Sequence, residues 1–309
     1  MAQPEGQTVA AGTSHRVLRL ATTCVTMFAL GFIYGWSVFS TPIAEEFQWD
    51  PATLSFTLTM LMWVFCAGGF IGAKLCDRTS PRFTNITSAV CILIAFCSCA
   101  LFSRADAPWI LYATYGLFGG LGVGMAYTVT MGTALSWWPD KAGTASGILL
   151  LCYGVSTMIL SSVVAWLCSF MYWRTAFPLM AAVMAAVVVA TSIPMRRPTE
   201  AELADLPKPA QVENNDESTQ TSLTTAQMLR MPAFWSYVCW MILVVTISLG
   251  FTGNNNQFAL AAGAAPALAV AFVGVHAIAN GVGRFVNGLK VWWAITRKRI
   301  NSRVPGYKH

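Results

Sequence analysis

The sequence predicts an all-α, polytopic membrane protein, and three observations carry that expectation. Hydrophobic residues make up 56% of the chain and charged residues 10%, against about 25% charged in an average soluble domain. Mean hydropathy is +0.57. Apolar runs of roughly 20 residues, the length that crosses a bilayer, recur at 20–39, 54–75, 86–102, 109–134, 145–170, 175–193, 233–251 and 267–289. No run alternates with period two, so a barrel is not supported.

Taken in order, residues 1–16 form a polar N-terminal segment ending in His15-Arg16. The run that follows is too long for a signal-peptide core and lacks a clear small-residue cleavage site, so it reads as a first helix that stays. Residues 17–194 then hold six spans as one transmembrane bundle. Residues 195–231 are polar, and their Pro, Glu, Asn and Ser content marks a flexible linker. Residues 232–289 hold two more spans. Residues 290–309 form a basic tail with the composition of a segment that lies on an anionic leaflet. Of the 19 Lys and Arg, only Arg104 and Arg174 fall in outer loops and Arg284 in a span; the bias puts both termini, the linker and the tail in the cytoplasm. Glu45, Glu46 and Asp50 occupy the first outer loop.

The net charge of +6 is therefore an orientation signal, and nucleic acid is not an expected partner. The nine cysteines lie almost entirely inside apolar runs, where they read as small hydrophobes. No nucleophile–base pair, metal cluster or phosphate-binding loop appears. No catalytic residue, metal or cofactor is assigned, and an enzyme is not expected.

The eighth run carries Arg284. A charge at the bilayer centre costs at least ~2.5–3.5 kcal/mol on insertion scales, so it usually faces a bundle interior or a water-filled path. His276, Asn280, Arg284 and Asn287 share one helical face, which gives the wall of a passage for anions. The alternative is an arginine near a helix end that snorkels to the headgroups. Tyr34, Trp36, Tyr127 and Tyr153 sit within spans rather than at their ends, and a buried tyrosine hydroxyl wants a partner. Gly116, Gly120, Gly124, Thr128 and Gly132 form a strip along the fourth run, where another backbone can approach closely. Asn254, Asn255, Asn256 and Gln257 either cap the seventh helix and form an outer loop or line the mouth of the path. Between the second and third runs, Gly72, Asp77, Arg78 and Arg82 make a tight basic loop. It is either a gate latched by an acid–guanidinium pair or an ordinary turn.

That loop resembles the G-x(4)-D-[RK]-x-G-[RP]-R signature of the major facilitator superfamily. Gly72, Asp77, Arg78 and Arg82 match, and Ser80 stands where the family usually has glycine. Tyr34-Gly35-Trp36-Ser37 followed by Pro42, the string from Trp138 to Gly147 (WPDKAGTASG), Tyr153-Gly154 and MLRMPAFW from Met228 narrow the likeness to the oxalate/formate antiporter-like branch, near the monocarboxylate transporters. The resemblance implies a complete N-terminal six-helix bundle plus two helices of a second, in a chain truncated after about eight of twelve spans. It also implies substrate-binding roles for Tyr34, Tyr127, Tyr153 and Arg284 and gating by Gly72, Asp77, Arg78 and Arg82; Trp36 and Asn280, read from their places within the spans, are further candidate substrate contacts.

The function expected is transport of a small organic anion, a mono- or dicarboxylate such as oxalate, formate or lactate, by alternating access. A proton or counter-anion is coupled to it, membrane lipid surrounds it, and a partner covers the incomplete second bundle. The alternative is a non-transporting membrane sensor or partner subunit built on the same fold. An altered or incomplete reading frame is the simplest expectation for the short chain.

Overall fold

The computed structural model describes residues 5–206 and 225–265, and beyond them positions 268–269, 271–272, 274–276, 278–280, 282–283 and 286. The first apolar run is not one helix. α1 (Glu5–Leu30) passes into a 3₁₀ turn at Gly31–Gly35 and then into α2 (Trp36–Phe47). α1 also starts well inside the polar N-terminal segment, because a helix nucleated by apolar residues extends into water at little further cost.

Next come α3 (Pro51–Arg78) and α4 (Pro81–Phe102). The fourth run begins as α5 (Pro108–Leu111), opens into a π-helical stretch at Tyr112–Gly119 and continues as α6 (Gly120–Trp137). A 3₁₀ turn at Pro139–Lys141 leads to α7 (Ala142–Phe170), followed by α8 (Trp173–Ser192). α9 (Glu200–Asp205) and α10 (Thr225–Leu229) lie in the expected linker, and α11 (Pro232–Ala261) is the seventh long helix.

Proline punctuates this order. It opens α3, α4, α5 and α11, where its preset φ suits the first turn and its missing N–H is not needed. Asp50 and Ser80 cap α3 and α4, their side chains accepting from the Thr53 and Phe83 amides at 3.2 Å. Ser80 is extended, with φ −163°, so the glycine expected at that place is not needed for a left-handed turn.

Residues 254–257, for which a loop was one expectation, continue α11. The helix stops a turn later at Gly263, whose φ is +86°. There the Gly263 amide donates to Leu260 O and the Ala264 amide to Ala259 O, the usual way glycine ends a helix. The described positions between 268 and 286 are all helical.

Among the described residues, six helical stretches are long and apolar enough to cross a membrane: Arg16–Ile33, Pro51–Arg78, Pro81–Phe102, Pro108–Trp137, Pro139–Phe170 and Trp173–Ser192. α3 packs along α6 and the π stretch, α4 against α8 and α6, and α1 against α7, α6 and α8. The α3–α6 seam is built on glycine. A Cβ at Gly120 would lie 2.6 Å from Leu61 O, and one at Gly68 2.6 Å from Leu121 O. Gly116, Gly120 and Thr128 meet α3 as the strip predicts, while Gly132 has nothing within 4 Å.

An aromatic cluster of Phe32, Phe39, Phe96, Tyr115 and Phe177 fills the middle, fully buried, with the Phe39 and Phe177 ring centroids 4.6 Å apart. The outer surface carries exposed Trp63, Phe70, Trp166, Phe170 and Ile193. Hydrocarbon, not water, accommodates such a surface.

Candidate functional site

The breaks in regular helix lie in the first and fourth runs. The 3₁₀ turn at Gly31–Gly35 carries Tyr34, whose side chain lies outside the described residues. This turn presses on α7: Thr157 Oγ1 donates to Gly31 O at 3.2 Å, and a Cβ at Gly31 would overlap Tyr153 O and the Ser156 side chain. Across from it, the Tyr127 and Tyr153 rings stand 5.5 Å apart at 67°, and Tyr127 also meets Phe65 at 5.4 Å. Tyr153 is buried and Tyr127 half-buried. Two of the expected site tyrosines are thus brought together beside a distorted helix.

Trp36 is 3% exposed and lies on Tyr115, with centroids 4.7 Å apart. Tyr115 donates to Ile33 O at 3.4 Å. This pair belongs to the aromatic core. Arg284 lies outside the described residues. Asn280 and His276 are half-buried, and the His276 ring is 5.3 Å from Phe251 of α11.

α11 packs on α2, and its Asn255 is 1% exposed with neither amide atom hydrogen-bonded among the described residues. The polar run at 254–257 was the signal, but the sequence did not single out Asn255 within it.

At the end of the bundle where α3 meets α4, Asp77 does not pair within its own loop. Its partner is Arg197, after the sixth span, at 2.8 Å. Arg197 also reaches Cys76 Sγ at 3.5 Å. Arg82 donates to Met195 O at 3.2 Å, and Asn85 donates to Met195 Sδ at 3.0 Å. Arg78 is exposed. Gly72 is buried in the α3–α6 seam, where a Cβ would stand 2.7 Å from Met125 Cα.

Arg16 binds Asp140, and Trp137 donates to Arg196 O at 2.8 Å. The segment between α8 and α9 therefore straps this end. Its own fastening is the capping box of Thr199 and Glu202, with Arg196 forked onto Glu202 through two 2.6 Å bonds. The Arg196 hydrogen bonds, then the Thr199 amide, hold the Glu202 carboxyl down at about 2. The Asp77 hydrogen bond raises the pKa of Arg197. The signal for this strap was the Arg196-Arg197 pair, which the sequence offered only as positive-inside charge.

The opposite end is closed by Glu46. Burial works to raise its pKa, but hydrogen bonds from Tyr172, Trp173 and Arg174 outweigh it and leave the carboxyl below the ordinary range. Arg174 reaches Glu46 at 3.0 Å and the carbonyls of Ala100 and Ser103 at 2.9 Å each.

A profile of the Major Facilitator Superfamily matches residues 21–304. The chain belongs to the Major Facilitator Superfamily. It is an integral membrane protein of a family of transporters. It is 24% identical over 290 residues to the oxalate:formate antiporter of Oxalobacter formigenes, covering 92% of this chain and 63% of that protein. An uncharacterised MFS-type transporter of Escherichia coli (strain K12), YhjX, is 22% identical over 275 residues, which is 89% of this chain and 65% of that protein. Monocarboxylate transporter 13 of Rattus norvegicus is 25% identical over 152 residues, 49% of this chain and 35% of that one. This major facilitator chain thus spans just under two thirds of the length of its two fullest matches among these.

Proposed function

We propose that the protein carries a small organic anion across its membrane, a mono- or dicarboxylate of the oxalate, formate or lactate kind. The observation that carries this reading is the Tyr127–Tyr153 pair, 5.5 Å apart, beside the 3₁₀ turn that holds Tyr34. Relatives named for oxalate, formate and monocarboxylates support the substrate class.

In this reading residues 17–194 are one rocking bundle and residues 232–289 belong to the second. Arg284 supplies the positive charge, the three tyrosines supply hydroxyls and ring edges, and Trp36 backs them from the core. Asn280 stands four residues before Arg284 in the sequence, a spacing that would share a helical face. Differential contacts with the anion in the two orientations then drive the exchange of access, with a proton or counter-anion coupled. Asp77, Arg78 and Arg82 form the cytoplasmic gate, and both termini face the cytoplasm by the distribution of Lys and Arg.

The test is uptake of radiolabelled oxalate, formate and lactate into proteoliposomes, with thermal stabilisation by the same anions measured alongside. Saturable uptake that Arg284→Ala abolishes without loss of membrane insertion supports the reading. Anion-dependent stabilisation without flux would instead make the protein a sensor.

A further inference from the structure

The seam between the first and fifth spans holds two thiols. α1 packs along α7, and their register is visible where the 3₁₀ turn begins, since a Cβ at Gly31 would overlap Tyr153 O and the Ser156 side chain. Cys24 stands seven residues before Gly31, two turns back on the same face of α1. Cys152 stands four residues before Ser156, one turn back on the same face of α7. Both faces are those that meet, and within the seam the Cys24 and Cys152 side chains hydrogen-bond thiol to thiol.

Both cysteines are reduced and half-buried, and Cys24 also packs against the hydrophobic core. Two other thiols keep different company. Cys99 Sγ lies 3.8 Å from Ser103 Oγ, and Cys76 Sγ accepts from Arg197 at 3.5 Å. Neither of those neighbours can form a bond to sulfur by oxidation, whereas a second thiol can. An S–H is a weak donor and a thiol sulfur a weak acceptor, so the reduced pair adds little to the seam. A covalent bond between the same two sulfurs would join chain positions far apart in sequence, the case in which a cross-link restrains the unfolded chain most.

We infer that Cys24 and Cys152 are a redox-active pair that hydrogen peroxide converts to a disulfide across the α1–α7 seam. One thiolate attacks a peroxide oxygen and becomes a sulfenic acid, and the other peroxide oxygen leaves as water. The second sulfur then displaces the sulfenic oxygen, which also leaves as water. Two thiols and one hydrogen peroxide thus give one disulfide and two waters. A thiol reductant reverses the step by exchange. The bond pins α1 to α7 beside Tyr153, the residue after Cys152, and its formation does not rest on the transport reading.

The experiment treats the purified full chain in detergent with hydrogen peroxide, alkylates the remaining thiols with N-ethylmaleimide and maps the peptides by mass spectrometry. Cys24 and Cys152 lose their labels together and appear in one cross-linked peptide, and dithiothreitol restores both labels. The oxidised protein melts several degrees above the reduced protein, and Cys24→Ala loses that difference. The wild-type peptide map decides the matter if that variant does not fold. Full labelling of both cysteines after peroxide, a sulfinic acid at either one, or a bond from either to a different cysteine overturns the inference.

Discussion

Asn255 is buried at a cost. An unpaired buried amide costs about 1–3 kcal/mol, and an apolar replacement of similar shape is often neutral or stabilising. Asn255→Leu is therefore expected to insert normally and to melt no lower than wild type, while uptake of the anion falls several-fold. Loss of Tm with unchanged uptake would make Asn255 a packing residue. Glu202 makes a prediction in pH. Its folded carboxyl sits at about 2, below the ordinary value of ~4.3. The stabilisation from its pair with Arg196 is thus fully present above the ordinary value and is lost as pH falls through about 2. Both side chains are more than a third exposed, so screening keeps the effect small, under about 1 kcal/mol. The Tm difference between wild type and Glu202→Gln should be constant above roughly pH 5 and shrink below roughly pH 4; a difference that persists at low pH would contradict the pairing.

At the scale of elements, the α3–α6 seam decides how close the second and fourth spans come. Because the Cβ of Gly120→Ala would stand 2.6 Å from a backbone carbonyl, the helices must separate. Overpacking of this kind typically costs 1–3 kcal/mol. Gly132→Ala, with open space around it, is expected to leave Tm unchanged, and equal melting of the two variants would refute the seam. The same glycines show what the sequence made legible. Their four-residue spacing gave the face that α3 meets, and the apolar runs gave the six long helices, because span length and small-residue packing are local properties of the chain. The breaks at Gly31–Gly35 and Tyr112–Gly119 were not legible, since both stretches keep the composition of a continuous helix. The partner of Asp77 was also hidden, because the ion pair joins positions 120 residues apart and depends on where the sixth span ends. Tyr127 and Tyr153 could be nominated from their depth in the spans, but their mutual contact depends on the packing of α6 against α7.

The whole molecule ties its six spans at both ends. Glu46 with Arg174 holds one end; Arg16 with Asp140 and Asp77 with Arg197 hold the other. In the proposed alternating-access cycle, a bundle fastened in this way would move as one body. The Asp77–Arg197 pair is 64% and 52% exposed at its two side chains, so its net contribution to stability is about 0–1 kcal/mol. A pair this weak is a poor clamp and a suitable switch, since breaking it needs little differential binding elsewhere. Asp77→Asn and Arg197→Gln are each expected to shift Tm by no more than a degree or two. Arg197→Gln frees Asp77 for other partners and retains uptake with altered rate, whereas Asp77→Asn removes the acid and loses uptake several-fold. Asp77→Arg combined with Arg197→Asp restores the pair and its Tm. If Asp77 acts only through Arg197, the exchanged protein transports like wild type; if the gate needs the acid on α3 itself, uptake stays low. Wild-type uptake in Asp77→Asn would remove this loop from the gate altogether.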